Sequence, residues 1–220
     1  HRVNSDLQLQ ARIYGGTRNN LQYLATNVWT GLDRRYEGIG LQAKGKTQAF
    51  NTTPVQWVIG TDFDHAQEQR QAGAAVLGEK SGALTRNELN EASNLDYFAQ
   101  ANWSLSERYT LTTGMRHSEV TLKSRDDMPT GVDGSGSVTY KATSPVLGLT
   151  WHAKDNLNLY INSGKGFETP TMVEAAYSRD INNNLVEQFN PNLKAARSTH
   201  LEIGSKWLPD PSTRLDAAWF

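Results

Sequence analysis

The sequence predicts an all-β fold: an antiparallel up-and-down transmembrane β-barrel, of which this chain carries about nine strands. Three observations lead there. Apolar and polar residues alternate with a period of two in one segment after another, the connections alternate between short and long, and tryptophans recur beside the short ones.

The first strand is read at Leu7-Gln8-Leu9-Gln10-Ala11-Arg12-Ile13, where a pleated strand divides two unlike environments. Ile39, Leu41 and Ala43, alternating with Gly40, Gln42 and Lys44, give the second. In the third, Val55, Trp57, Ile59 and Phe63 share one face, and Gln56, Gly60, Asp62 and Asp64 share the other. The same parity returns at Leu95, Tyr97, Ala99, Ala101 and Trp103, then at Leu111, Thr113 and Met115, and then at Leu147, Leu149 and Trp151. Leu157, Leu159 and Ile161, then Leu201, Ile203 and Trp207, then Leu215, Ala217 and Trp219 complete the series. No segment carries a helical stripe, and no stretch approaches the roughly 18 apolar residues of a membrane helix. The mean hydropathy of -0.60 fits barrel strands that turn only every second side chain toward lipid.

Between these strands, Gln48 to Pro54, Ser104 to Arg108, Ala153 to Asn156 and Leu208 to Ser212 read as tight turns. Gly15 to Arg35, Gln71 to Ser93, Ser124 to Gly136 and Gly164 to Ala196 read as long polar links rich in Gly, Asn, Asp and Ser. Such alternation predicts a meander with one plain end and one elaborate end. Trp57, Trp103, Trp151 and Trp207, joined by Tyr109, fall on the apolar parity close to the short turns. Indole and phenol rings favour the lipid headgroup level, so these five residues are expected to form a membrane-interface belt. The opposite parity carries Gln10, Arg12, Gln42, Lys44, Asp62, Asp64, Gln100, Arg116, Asn158, Asn162, His200, Glu202 and Lys206, which suit a wet interior. In a soluble β-sandwich the same residues would form the solvated outer face, and parity alone leaves both readings open.

Charge and chemistry narrow the function. With 22 Lys+Arg against 23 Asp+Glu in 220 residues, the net charge of -1 gives no basic excess for a nucleic-acid partner. The cysteine count of 0 removes disulfides, thiol nucleophiles and thiolate metal sites. No nucleophile elbow, phosphate-binding loop or dinucleotide fingerprint occurs. His1, His65, His117, His152 and His200 lack metal-ligand spacing. Asp126, Asp127 and Asp133 lie in a Gly-rich loop without the regular spacing of a calcium site. The expectation is a non-enzyme with neither cofactor nor resident metal. Both chain ends read as cut from something longer.

Several segments resemble the TonB-dependent outer-membrane receptors. Leu95-Asp96-Tyr97-Phe98-Ala99-Gln100-Ala101-Asn102-Trp103 followed by Leu111-Thr112-Thr113-Gly114-Met115-Arg116 is similar to a strand, short turn and Gly-x-Arg strand of that family. Ser144-Pro145-Val146-Leu147-Gly148-Leu149-Thr150-Trp151 resembles the next strand. Gly166-Phe167-Glu168-Thr169-Pro170-Thr171-Met172-Val173-Glu174, then Phe189-Asn190-Pro191-Asn192-Leu193-Lys194, then Glu202-Ile203-Gly204 is the most specific stretch. Ala195-Ala196 stands where the family usually has Pro-Glu.

The resemblance implies that residues 1–220 are a middle-to-late portion of a plugged barrel of about 22 strands, with the plug outside this chain. It further implies active import of a ferric siderophore or similar scarce nutrient, energised by the TonB complex, in the outer membrane of a Gram-negative bacterium. Arg70, Arg86, Arg125, Tyr177 and Arg179, in or beside long links, are the candidate ligand-binding residues. Glu168, Pro170 and Glu174 are assigned to loop architecture. A passive, porin-like barrel and a soluble β-sandwich binding module are the two rival readings.

Overall fold

The computed structural model describes residues 6–129, 131–176, 178, 179, 182, 184–186 and 188–220. Its elements are β1 (Leu7–Leu24), β2 (Val28–Ala49), β3 (Thr53–Val76), β4 (Glu79–Ser104), β5 (Tyr109–Asp126), β6 (Gly136–Lys154), β7 (Leu157–Glu168), α1 (Met172–Ala175), β8 (Ser178–Arg179), β9 (Leu185–Val186), β10 (Ala196–Asp210) and β11 (Thr213–Trp219). Nine strands form one antiparallel sheet in the order β1-β2-β3-β4-β5-β6-β7-β10-β11, an open section with β1 and β11 at its edges. Among the described residues, the short strands β8 and β9 pair only with each other, inside the connection between β7 and β10.

Two of the four expected long links are corrected. Gly15 to Arg35 and Gln71 to Ser93 are mostly strand, because β1 and β2 pair continuously from Leu7 with Gly45 to Leu24 with Val28, and β3 and β4 pair out to Val76 with Glu79. The reason is physical. From Val55 to Phe63, β3 presents apolar residues on one face, the nine residues or so that a tilted membrane strand needs. Beyond His65 both faces of the hairpin carry polar side chains, so the period-two signal fades although the backbone ladder continues. The tip of β3–β4 is a two-residue turn with both residues at positive φ, Leu77 at 51° and Gly78 at 79°, and leucine in that position is no turn signal. The other two connections on this end remain irregular, shortened to 127–135 and 169–195. Among its described residues the second contains a single helical turn, α1, where none was expected.

The odd-numbered face of β3, β4 and β5 is apolar and uncovered. Ile59, Tyr97, Met115, Leu147, Ile161, Leu201 and Leu215, on the matching face of these and the following strands, are all exposed, and among the described residues the only other sheet is the two-stranded β8-β9 pair. The tryptophans lie on this face. Trp151 and Trp207 are 41% and 42% exposed, and the Trp103 indole N–H donates to Thr113 Oγ1 at 2.9 Å.

The register also gives the slope of the belt. From Trp57 the ladder runs through Ala101, Thr113, Leu147 and Ser163 to Leu201, whereas the belt residue of β10 is Trp207, six residues nearer its short turn. Six residues over five strand steps is about 20 Å along the strands for about 24 Å across them, an incline of about 40°. Barrel strands tilt by about 35–45° from the barrel axis. A belt inclined by that angle to the ladder is therefore level with respect to the axis.

Candidate ligand-facing surface

The face opposite the tryptophans is polar and internally bonded. Near its centre Arg12 pairs with Asp62 at 3.1 Å, Tyr14 donates to Asp64, and Asn94 donates to Asp96 at 2.6 Å. Arg116 pairs with the same Asp96, which is only 1% exposed. Gln42 donates to Gln10 at 2.8 Å, and farther along the sheet Tyr160 donates to Glu202 at 2.5 Å. Period two places these groups on one side, and antiparallel pairing brings Asp62 opposite Asp96. Gly38 makes room for this layer: a Cβ there would lie 2.5 Å from the Tyr14 ring. Asp62 and Asp64, two apart on β3, are thus joined across strands to a guanidinium and to a phenol hydroxyl.

Toward the elaborate end the same face carries a second charged group. Arg34 donates to Glu68 at 2.8 Å, and buried Arg86 pairs with Glu88 at 3.2 Å. Glu88 stands directly opposite Arg70 in the ladder. Two of the predicted arginines, Arg70 and Arg86, therefore share one wall. Arg125 lies on the opposite parity of β5, where it binds Asp127 at 2.8 Å. Its guanidinium holds the Asp127 carboxyl below the usual carboxylate range. Tyr177 lies outside the described residues, as does the side chain of Arg179, whose backbone belongs to β8. Sequence reasoning missed Arg34 and Glu68, although both share the parity of Asp62.

Asp126, at the end of β5, and Asp133 clip the 127–135 connection. Asp126 accepts the backbone N–H of Met128 and of Gly134, each at 2.9 Å. Asp133 accepts the backbone N–H of Ser135 at 2.9 Å, and the Ser135 hydroxyl and backbone together hold its carboxyl low.

The connection 169–195 folds back over the polar face. Ala175 and Phe189 are buried against Leu122 and Tyr140, with Val120, Val138, Met172 and Leu193 around them. The Tyr140 hydroxyl donates to the Leu193 carbonyl at 3.0 Å, and the Asn190 N–H donates to the Ala175 carbonyl at 2.8 Å. Thr171 and Glu174 form a reciprocal capping box at the start of α1: the Glu174 N–H donates to Thr171 Oγ1 at 3.2 Å, and the Thr171 N–H donates to Glu174 at 2.7 Å. That backbone donor holds the Glu174 carboxyl low. Within this connection, between its own segments and the ends of β7 and β10, is an open cleft of about 900 Å³, lined by Glu168, Thr169, Glu174, Ser178, Asn190 and Lys194 among others.

The arrangement is that of a wall: one apolar face, one hydrogen-bonded polar face, and a structured loop folded over the polar side at one end. A profile of the family described as "TonB dependent receptor-like, beta-barrel" matches residues 1–220. The chain belongs to the TonB-dependent receptor β-barrel family. As a TonB-dependent receptor barrel it shares its fold with solved structures at low identity. These include the siderophore receptor PiuA from Acinetobacter baumannii, with a TM-score of 0.73 at 12% identity over 99% of this chain and 38% of that one. The copper transporter OprC gives 0.72 at 15% over 94% and 36%. The ferric yersiniabactin uptake receptor FyuA from Yersinia pestis gives 0.70 at 15% over 98% and 33%. The chain therefore spans roughly a third of the length of these receptors. TonB-dependent receptor barrels are transport receptors of the Gram-negative outer membrane, and their family is not one of enzymes.

Proposed function

We propose that this chain is a wall section of an outer-membrane importer that takes up a ferric siderophore or a similar scarce nutrient and draws its energy from the TonB complex. The observation that carries this reading is the pairing of a level aromatic belt on an uncovered apolar face with a bonded polar face behind it. The first suits bilayer lipid and the second suits a wet lumen. The similar solved structures, siderophore and metal uptake receptors, support the cargo class.

In this reading a plug domain contributed by the rest of the protein fills the space inside the polar wall. The cargo meets the elaborate end first, where Arg70, beside the buried Arg86–Glu88 pair, and the loop carrying α1 offer charge and hydrogen-bond donors to an anionic chelate. The wall performs no covalent chemistry. It binds, confines and releases, and the work of opening comes from outside the barrel.

Growth of a host lacking the full-length gene, on a panel of single iron chelates as sole iron source, tests the role. Loss of growth on one chelate, restored by the gene, supports import of that chelate. Growth on all of them, with unchanged uptake of other nutrients, refutes it. Persistence of uptake after the membrane potential is collapsed would instead favour a passive barrel.

A further inference from the structure

The polar face is bonded unevenly along its depth. In the layer through Asp62 the charged groups pair with one another, Arg12 with Asp62 and Arg116 with Asp96. At the short-turn mouth of the same face, β1 to β4 carry two lysines and four amides: Lys44 and Lys46, with Gln8, Gln56, Gln100 and Asn102. Among the described residues neither lysine forms an ion pair, and the side chains of Gln8, Gln56 and Gln100 make no hydrogen bond. Asn102 is engaged, accepting from Thr112 Oγ1 at 2.9 Å.

Antiparallel pairing gathers these side chains. Gln8 stands opposite Lys44, Gln56 opposite Lys46 and Asn102 opposite Gln56, with Gln100 two residues along β4. Lys44 and Lys46 are about 7 Å apart along one face. The group lines a cavity of about 310 Å³, within the range of small-ligand sites, and Asp6 is the one carboxylate on that lining. Gly45 stands opposite Trp57, so the two lysines straddle the belt level, the last stretch of lumen before the short turns. On the far strands the same level is bonded internally: His152 lies 3.1 Å from Thr110 Oγ1 and 2.6 Å from Asn158 Oδ1, and Lys206 stands opposite Asp216.

We infer that this mouth is an exit site for the anionic metal chelate proposed above as cargo. Lys44 and Lys46 attract its charge, and the amides of Gln8, Gln56 and Gln100 donate to its outer oxygens. Arg70 lies thirteen residues along β3 from Trp57, about 33 Å in depth. A chelate released from the loop end therefore meets a second group of unengaged cations before it leaves the barrel. The layer between offers no equal hold, because Asp62 and Asp96 already neutralise its guanidiniums. Exposed lysines bind weakly enough to let the chelate go, which transit requires. The inference rests on the importer reading.

The test uses the full-length receptor in neutral detergent with a nitroxide at Gln48→Cys, two residues past Lys46 on the same face. Two relaxation probes are compared: trisoxalatochromate(III), a trianionic metal chelate, and a neutral nickel chelate. Two unit charges about 7 Å from a trianion at about 0.15 M salt enrich it about tenfold. The expected result is chromium accessibility above nickel by about that factor, saturating with concentration, in the parent and in K44R/K46R, and lost in K44Q/K46Q. Iron-55 uptake from each chelate of the growth panel supplies the transport arm, in which K44Q/K46Q lowers the maximal rate and leaves half-saturation unchanged. Equal chromium-to-nickel ratios in the parent and K44Q/K46Q overturn the exit site, and so does enrichment with no effect on the maximal rate. Leakage of large antibiotics into K44Q/K46Q cells would show that the lysines hold an acidic plug segment instead, and the proposal fails. Enrichment absent with uptake intact refutes the exit site alone, whereas a parent that takes up none of the chelates refutes the importer reading and the inference with it.

Discussion

Replacing Ile59 by arginine probes the outward face where it matters most. Ile59 lies midway between Val55 and Phe63 on β3, points to the face of the tryptophans and is 51% exposed. If that exposed half meets hydrocarbon, a cationic side chain inside the band costs up to about 2–4 kcal/mol. If it meets water, a substitution at a half-exposed strand position costs within about 0.5 kcal/mol. The comparison is Gln67→Arg, on the same face of the same strand but past the band, where the depth dependence predicts about 0–1 kcal/mol. The assay is denaturant titration of the full-length receptor folding into phospholipid vesicles, read by heat-modifiable gel migration, with both variants against the parent. A difference of about 2 kcal/mol or more between Ile59→Arg and Gln67→Arg is expected. Equal costs at the two positions would falsify the placement of the band.

The remaining predictions concern the loop, the turn and the wall. Phe189→Ala removes the largest ring from the loop's contact with Leu122 and Tyr140, at a local cost of about 3–5 kcal/mol, so limited proteolysis should cut within 169–195 at sharply higher rates with the sheet intact. Because the Glu174 carboxyl is held below its ordinary value by the Thr171 N–H, its contribution is complete above the ordinary carboxylate range and fades as the pH falls through the lowered value. Amide exchange at Ala175 and Ala176, corrected for intrinsic rate, should therefore rise on acidification in the parent and show no such step in Glu174→Gln. Leu77→Asn relieves a leucine held at φ 51° and should raise stability by up to about 1 kcal/mol, seen as a higher denaturation midpoint. Arg70→Ala should weaken cargo binding by about tenfold, roughly 1.4 kcal/mol, while Arg125→Ala, on the other face, should leave it unchanged. Equal effects in an uptake assay would contradict the assignment of the two faces.

Much of the fold was legible where two environments meet. Between Val55 and Phe63, or Leu95 and Trp103, alternate residues answer to different surroundings, and the sequence records it. Where the β1–β2 and β3–β4 hairpins run on past the band, both surroundings are polar. Arg34 then reads as a loop residue, and Glu68 falls past the last alternating position of its strand, although the ladder continues through both. The turn at Leu77-Gly78 was hidden by a side chain that such turns disfavour. The inward fold of 169–195 was unreadable for another reason: Ala175, Phe189 and Leu193 are isolated apolar residues whose partners, Leu122 and Tyr140, lie far away in sequence. The division of the candidate arginines was within reach. Arg70 shares the parity of Asp62 on β3, and Arg86 shares that of Asp96 on β4, so counting by twos through an uninterrupted strand would have set both on the polar wall and Arg125 on the other side.

The central claim is that one face of this sheet lies against hydrocarbon over a limited depth, and a nitroxide scan along β3 tests it most directly. Single labels from Val55 to Val76 of the full-length receptor in lipid vesicles should show oxygen accessibility peaking at odd positions from Val55 to Phe63 and collapsing beyond His65, where a water-soluble nickel reagent takes over. Oxygen peaks at even positions, or water-soluble reagent reaching Ile59 as readily as Gln67, would contradict the account.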